Sequence, residues 1–219
     1  MEDFSWDEFN KVPVVGILRG LPQKNVEILA NYYLQAGFTT LEVTMNSLEA
    51  ESTIRALIDS FGDNLNIGAG TVCTMQDLER AISAGANFIV TPIVNAEVIS
   101  TCVEIKIPVF AGAYTPSEIY HAWSLGAAMV KVFPAGRLGP EYIKEVLAPL
   151  SHIKLLPTGG ITFENFTSFL KAGASGIGVG SMLFPQQLIK SNKWAEVSDL
   201  LNAFINSYNN YQLNNKYHV

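Results

Sequence analysis

The sequence predicts an α/β chain folded as a (β/α)8 TIM barrel with a short N-terminal helix, on three observations. Eight short runs rich in β-branched and other apolar residues alternate with longer stretches of helical period. Gly, Pro, Ser, Thr and Asn punctuate the junctions. No GxGxxG turn follows the first run, where an open nucleotide-binding sheet would carry one. Eight strand–helix units within 219 residues suit a compact closed barrel.

In chain order, residues 1–12 ("MEDFSWDEFNKV") read as the N-terminal helix ahead of the barrel. The expected strands are "PVVGIL" (13–18), "TTLEVTM" (39–45), "NIGAGT" (66–71), "NFIVTP" (87–92), "PVFAGA" (108–113), "MVKVFP" (129–134), "KLLPTG" (154–159) and "GIGVGS" (176–181). Between them lie amphipathic stretches such as "NVEILANYYLQAG" (25–37), "LEAESTIRALIDSFG" (48–62), "MQDLERAISAG" (75–85) and "FENFTSFLKAG" (163–173). Several end in the Gly expected just past a helix C-terminus. The Asn-rich end, 207–219, reads as a frayed tail, so the whole chain, 1–219, is expected to be one barrel domain without a linker.

Composition narrows the function. A hydrophobic content of 48% with 16% charged residues supports a substantial core. A net charge of −6 with no basic run disfavours nucleic acid or an anionic membrane surface as partner, because both need clustered Lys and Arg. The acidic N-terminus lacks a signal-peptide core, and no apolar stretch approaches the ~18 residues that span a bilayer. A soluble, cytoplasmic protein is expected. Cys73 and Cys102 lack CxxC spacing and read as small packing residues. His121, His152 and His218 fall in helix, loop and tail, unpaired at ligand spacing, so no metal is expected.

In such a barrel the polar residues at the C-terminal strand ends belong to one site. They are Arg19, Glu42 and Thr44, Thr71, Thr91-Pro92, Lys131, Thr158-Gly159-Gly160 and Gly180-Ser181. Alternation along "LEVTM" turns Glu42 and Thr44 inward and Leu41 and Val43 outward. Lys131 shares its face with Met129 and Phe133, so Lys131 and Glu42 face one cavity. A Lys with its pKa lowered by desolvation attacks carbonyls, and a nearby carboxylate moves the protons that Schiff-base chemistry needs. An interior salt bridge that only holds the barrel together is the bland alternative. The glycines of "PTGG" and "GVGS", on adjacent strands, let backbone N–H groups approach an anion where such barrels commonly hold phosphate.

Together, "LEVT", "GAGTV" (68–72), "TP" (91–92), "VKVFPA", "PTGGI" (157–161) and "GVGS" (178–181) resemble a known family in order and separation. It is that of the short pyruvate-forming class I aldolases, which include 2-keto-3-deoxy-6-phosphogluconate aldolase and 4-hydroxy-2-oxoglutarate aldolase. The resemblance implies that Lys131 forms the Schiff base and Glu42 carries protons. It implies Arg19 and Thr71 as substrate contacts, Pro92 and Phe133 as pocket walls, and Gly159, Gly160, Gly180 and Ser181 as a phosphate cradle. It further implies a phosphorylated 2-keto acid substrate, no cofactor and a homotrimer.

Two positions separate the branches. Asn46 stands where the phosphogluconate branch usually brings an Arg to the substrate carboxylate, and with "ILRG" it resembles the phosphogalactonate branch. Thr158 resembles the phosphogluconate branch, since its hydroxyl can favour one epimer by a hydrogen bond that Val lacks. The expectation is cleavage of 2-keto-3-deoxy-6-phosphogluconate to pyruvate and glyceraldehyde 3-phosphate. The phosphogalactonate epimer and 4-hydroxy-2-oxoglutarate are alternative substrates. A cofactor-free phosphosugar epimerase and a non-catalytic phosphosugar-binding barrel are the rival classes.

Overall fold

The structure is a computed structural model describing residues 3–216. Its strands are β1 (Val14–Leu18), β2 (Thr40–Thr44), β3 (Asn66–Gly70), β4 (Ile89–Val90), β5 (Val109–Ala113), β6 (Met129–Val132) and β7 (Ile177–Val179). They pair in parallel in the order β6-β5-β4-β3-β2-β1-β7. The expected run at 154–159 fills the gap between β6 and β7. It makes single parallel bridges, Val130 to Leu155 and Thr158 to Gly178. The Leu156 N–H donates to the Val130 carbonyl (2.8 Å) and the Gly178 N–H to the Pro157 carbonyl (2.9 Å). Pro157 has no N–H to donate, so this wall of the barrel lacks a rung. With it, eight staves close a (β/α)8 barrel of the TIM type.

Helices follow each stave: α2 (Gln23–Ala36), α3 (Ala50–Phe61), α4 (Met75–Ser83), α5 (Ala96–Glu104), α6 (Pro116–Ser124), α7 (Gly139–Leu147), α8 (Phe166–Lys171), α9 (Gln186–Lys190) and α10 (Trp194–Lys216). Capping boxes start two of them, Thr74 with Asp77 and Thr115 with Glu118. The stave residues Leu41, Val43, Ile67, Val130 and Ile177 face outward into the helix layer, as alternation predicts. None of the described helices is long and apolar enough to cross a membrane.

The inner face carries a separate cluster of Val15, Ile17, Phe88, Val90, Phe110, Met129 and Leu156, joined by Phe4 and Phe9 from the N-terminal segment. The Phe4 ring lies 5.4 Å from Phe88 and 5.9 Å from Phe110, edge-on to both. Helix α1 (Trp6–Lys11) begins at Ser5, whose side chain accepts from the Glu8 N–H. Ser5 also exchanges two hydrogen bonds with Asn66 at the start of β3, of 2.8 and 3.0 Å. Aromatic packing thus stoppers the N-terminal end of the barrel and confines the polar interior to the other end.

The reading of 207–219 as a frayed tail is corrected within the described residues. Helix α10 runs on to Lys216, and 217–219 lie outside the described residues. The Asn residues there are poor helix formers, but Phe204 and Tyr208 are buried, and the Phe204 ring packs 4.3 Å from Phe166. Tertiary packing outweighs a weak local propensity.

Candidate active site

Glu42 lies mid-strand in β2, level with Ile17 of β1 and Gly68 of β3. It is 1% exposed, and its Oε1 has no hydrogen-bond partner. A Cβ at Gly70 would overlap that carboxylate, so the glycine in "GAG" makes room for it. Lys131 on β6 is level with Gly112 of β5 and 3% exposed. Its Nζ lies 5.4 Å from the Phe133 ring centroid. No direct ion pair joins Lys131 to Glu42 among the described residues. An interior structural salt bridge is therefore not what this pair forms.

The electrostatics suit a nucleophile beside a proton carrier. Burial pushes the Lys131 amine below its ordinary range; the Glu42 carboxylate opposes this and the Arg19 guanidinium adds to it. Burial raises the Glu42 carboxyl, against the pull of Lys131 and Arg19. Both shifts favour the neutral forms, the states from which an amine attacks and a carboxyl donates.

A cavity of about 420 Å³ opens above the aromatic stopper. Of the residues singled out from sequence, Arg19, Lys131, Phe133, Thr158, Gly159, Gly160, Gly180 and Ser181 line it. Gly159 and Gly160 adopt φ of +83° and +75°, which a glycine takes without strain. Their turn is held where the Gly136 N–H donates to the Gly159 carbonyl (2.7 Å) and Asn165 Nδ2 to that of Gly160 (2.9 Å). The Thr158 hydroxyl donates to the Leu156 carbonyl (3.2 Å), keeping its oxygen able to accept. A Cβ at Gly178 would overlap that hydroxyl.

Glu42, Thr71, Pro92 and Asn46 are outside this lining. Thr71, half-buried at the end of β3, has a φ of 58°, a costly conformation for a β-branched residue and one that clusters at functional sites. Pro92 is half-buried with its backbone against Gly112, the β5 neighbour of Lys131. Asn46 is exposed in the turn after β2. Sequence reasoning missed Leu21, Ile161, Thr162, Met182, Phe184 and Gln186, which also line the cavity. Each follows a strand end by a few residues, and that proximity was the only available signal.

A closed parallel barrel with a buried, unpaired lysine and an interior carboxylate near its strand ends has the features of an enzyme that works on carbonyl substrates through an amine. The chain belongs to the aldolase family of KDPG and KHG aldolases, whose family model matches residues 7–200. It is a class I aldolase, and so a lyase. The 2-dehydro-3-deoxy-6-phosphogalactonate aldolase of Escherichia coli is 37% identical over 80% of this chain and 85% of its own length. The 2-dehydro-3-deoxy-phosphogluconate aldolase of Haemophilus influenzae is 33% identical over 90% of this chain and 92% of its own. Among solved structures, the KDPG aldolase of Legionella pneumophila, with pyruvate captured as a covalent carbinolamine, superposes with a TM-score of 0.83 at 29% identity, covering 90% of this chain and 96% of that one.

Proposed function

We propose that this aldolase cleaves 2-keto-3-deoxy-6-phosphogluconate to pyruvate and glyceraldehyde 3-phosphate through a Schiff base on Lys131. The observation that carries the proposal is the buried Lys131 amine, free of any direct ion pair and facing the same interior as the unpartnered oxygen of Glu42. Neutral Lys131 attacks the 2-keto carbon, and loss of water assisted by Glu42 leaves a protonated imine. Glu42, directly or through a water, takes the 4-hydroxyl proton while the bond between carbons 3 and 4 breaks. The electron pair moves into the enamine as the aldehyde leaves. Protonation at carbon 3 and hydrolysis release pyruvate and the free amine. The imine nitrogen is the electron sink, and water is the one other reactant these steps use.

Gly159, Gly160, Gly180 and Ser181 bind the phosphate in this reading, with Arg19, Thr71, Pro92 and Phe133 around the rest of the substrate. Thr158, which lines the cavity, supports the gluconate epimer through a hydroxyl oxygen that can still accept a hydrogen bond. Asn46 and the phosphogalactonate aldolase relative favour the second reading, the galactonate epimer. Assays of both epimers decide. The gluconate epimer is expected to have the higher kcat/KM, and Thr158→Val to erode that preference by about tenfold, the worth of one hydrogen bond. A wild-type preference for the galactonate epimer would give the second reading its substrate. The homotrimer rests on the family resemblance, and the cytoplasmic location on composition and hydropathy.

Trapping pyruvate with borohydride and mapping the adduct tests the nucleophile itself. One pyruvyl adduct, on Lys131, is expected. Its rate of formation should rise with pH through a midpoint below 10.5, the ordinary lysine value, because burial lowers this amine. Arg19→Ala removes a repelling cation and should move that midpoint up. Glu42→Gln removes an attracting anion and should move it down. Shifts of the same sign would mean that these charges do not set the amine.

A further inference from the structure

Ser47 belongs to none of the roles assigned so far, yet it ties together two loops at the mouth of the barrel. The Gly20 N–H, immediately after Arg19, donates to Ser47 Oγ at 2.9 Å. The same oxygen lies 2.9 Å from Thr44 Oγ1, and Thr44 is fully buried at the end of β2, two residues beyond Glu42. The Ser47 N–H donates to the Thr44 carbonyl at 2.9 Å, so backbone and side chain are both fixed to β2. Gly20 itself turns at a φ of +62°, directly after the arginine.

Arg19 needs such an anchor. Arg19 is an exposed residue at the cavity wall, and among the described residues its side chain has no ion pair or hydrogen bond to direct it. A long unpaired side chain is aimed only by its backbone and by what it binds. We propose that Ser47 is a positioning residue: by holding the turn after β1 against the end of β2, it keeps the Arg19 guanidinium facing the cavity that Lys131 and Thr158 share. A substrate anion then meets a pre-placed cation instead of ordering one on binding.

The assignment rests on the aldolase reading above, and steady-state cleavage of both phosphorylated epimers tests it. Ser47→Ala should raise KM roughly three- to tenfold, the worth of one lost hydrogen bond, with kcat nearly unchanged. Ser47→Thr, which keeps the hydroxyl, should restore KM. In an Arg19→Ala background the Ser47→Ala change should add less than about twofold, because the side chain being aimed is gone. An equal loss with and without Arg19, a fall in kcat at constant KM, or no change would each overturn the assignment. A folded wild type inactive on both epimers would overturn the proposed function and this role with it. An active wild type without the Arg19 dependence would overturn this role alone.

Discussion

Lys131→Ala should lose cleavage activity by at least about 10⁴-fold, since in the proposed reaction the held amine supplies the covalent step and no solution amine matches its effective concentration. Lys154 cannot replace it. That side chain lies over the Trp6 ring, 5.4 Å from its centroid, among the aromatic residues at the other end of the barrel. The variant should also fail to trap pyruvate under borohydride. Measured turnover within tenfold of wild type would sink the assignment of Lys131.

Fold stability should respond in the opposite sense. The amine pKa is depressed in the native barrel, so burial costs stability where both states carry the proton, below the folded pKa. The cost is relieved as pH rises through that folded value, and is gone above the unfolded value near 10.5. Lys131→Met, which fills the space without the charge, should therefore unfold at no lower temperature than wild type at neutral pH. Any advantage should shrink toward alkaline pH. A large destabilisation at neutral pH would show that the ammonium holds the barrel together.

Glu42→Gln should lower kcat by about 10²- to 10⁴-fold, the usual worth of a positioned acid or base. The amide keeps the size of the side chain in the space that Gly70 leaves, so the fold and substrate binding should persist. The lost property is the ability to accept and return a proton. Pyruvate should still be trapped on Lys131, more slowly because loss of water from the carbinolamine has lost its catalyst. The expected signature is a depressed kcat with KM little changed, read with the trapped adduct in the same preparation. Unchanged turnover would remove Glu42 from the reaction.

The inward direction of Glu42 and Lys131 was legible because strand alternation is local. Leu41 and Val43 on one side, and Met129 on the other, state which face each neighbour must take. Thr158, Gly159, Gly160, Gly180 and Ser181 were legible from their places after the last two strand runs. The Asn-rich end was misread because its composition speaks against helix while Tyr208, a single buried anchor, is inconspicuous in sequence. Gln186, an ordinary polar residue that opens α9, carried no signal beyond following the last strand run, and Ser47 none beyond its place beside Asn46.

Residue chemistry and period, both properties of short windows, determined the number of staves, their faces and the identity of an interior lysine and carboxylate. Only the tertiary structure decided which strand ends share the cavity, because β1 pairs with β7 across nearly the whole chain and no local pattern announces that closure. It also decided that Lys131 and Glu42 share an interior without forming a salt bridge. Desolvation and separation arise from the assembled barrel, and they move the pKa values of two ordinary ionisable side chains toward their neutral forms, as the proposed reaction requires.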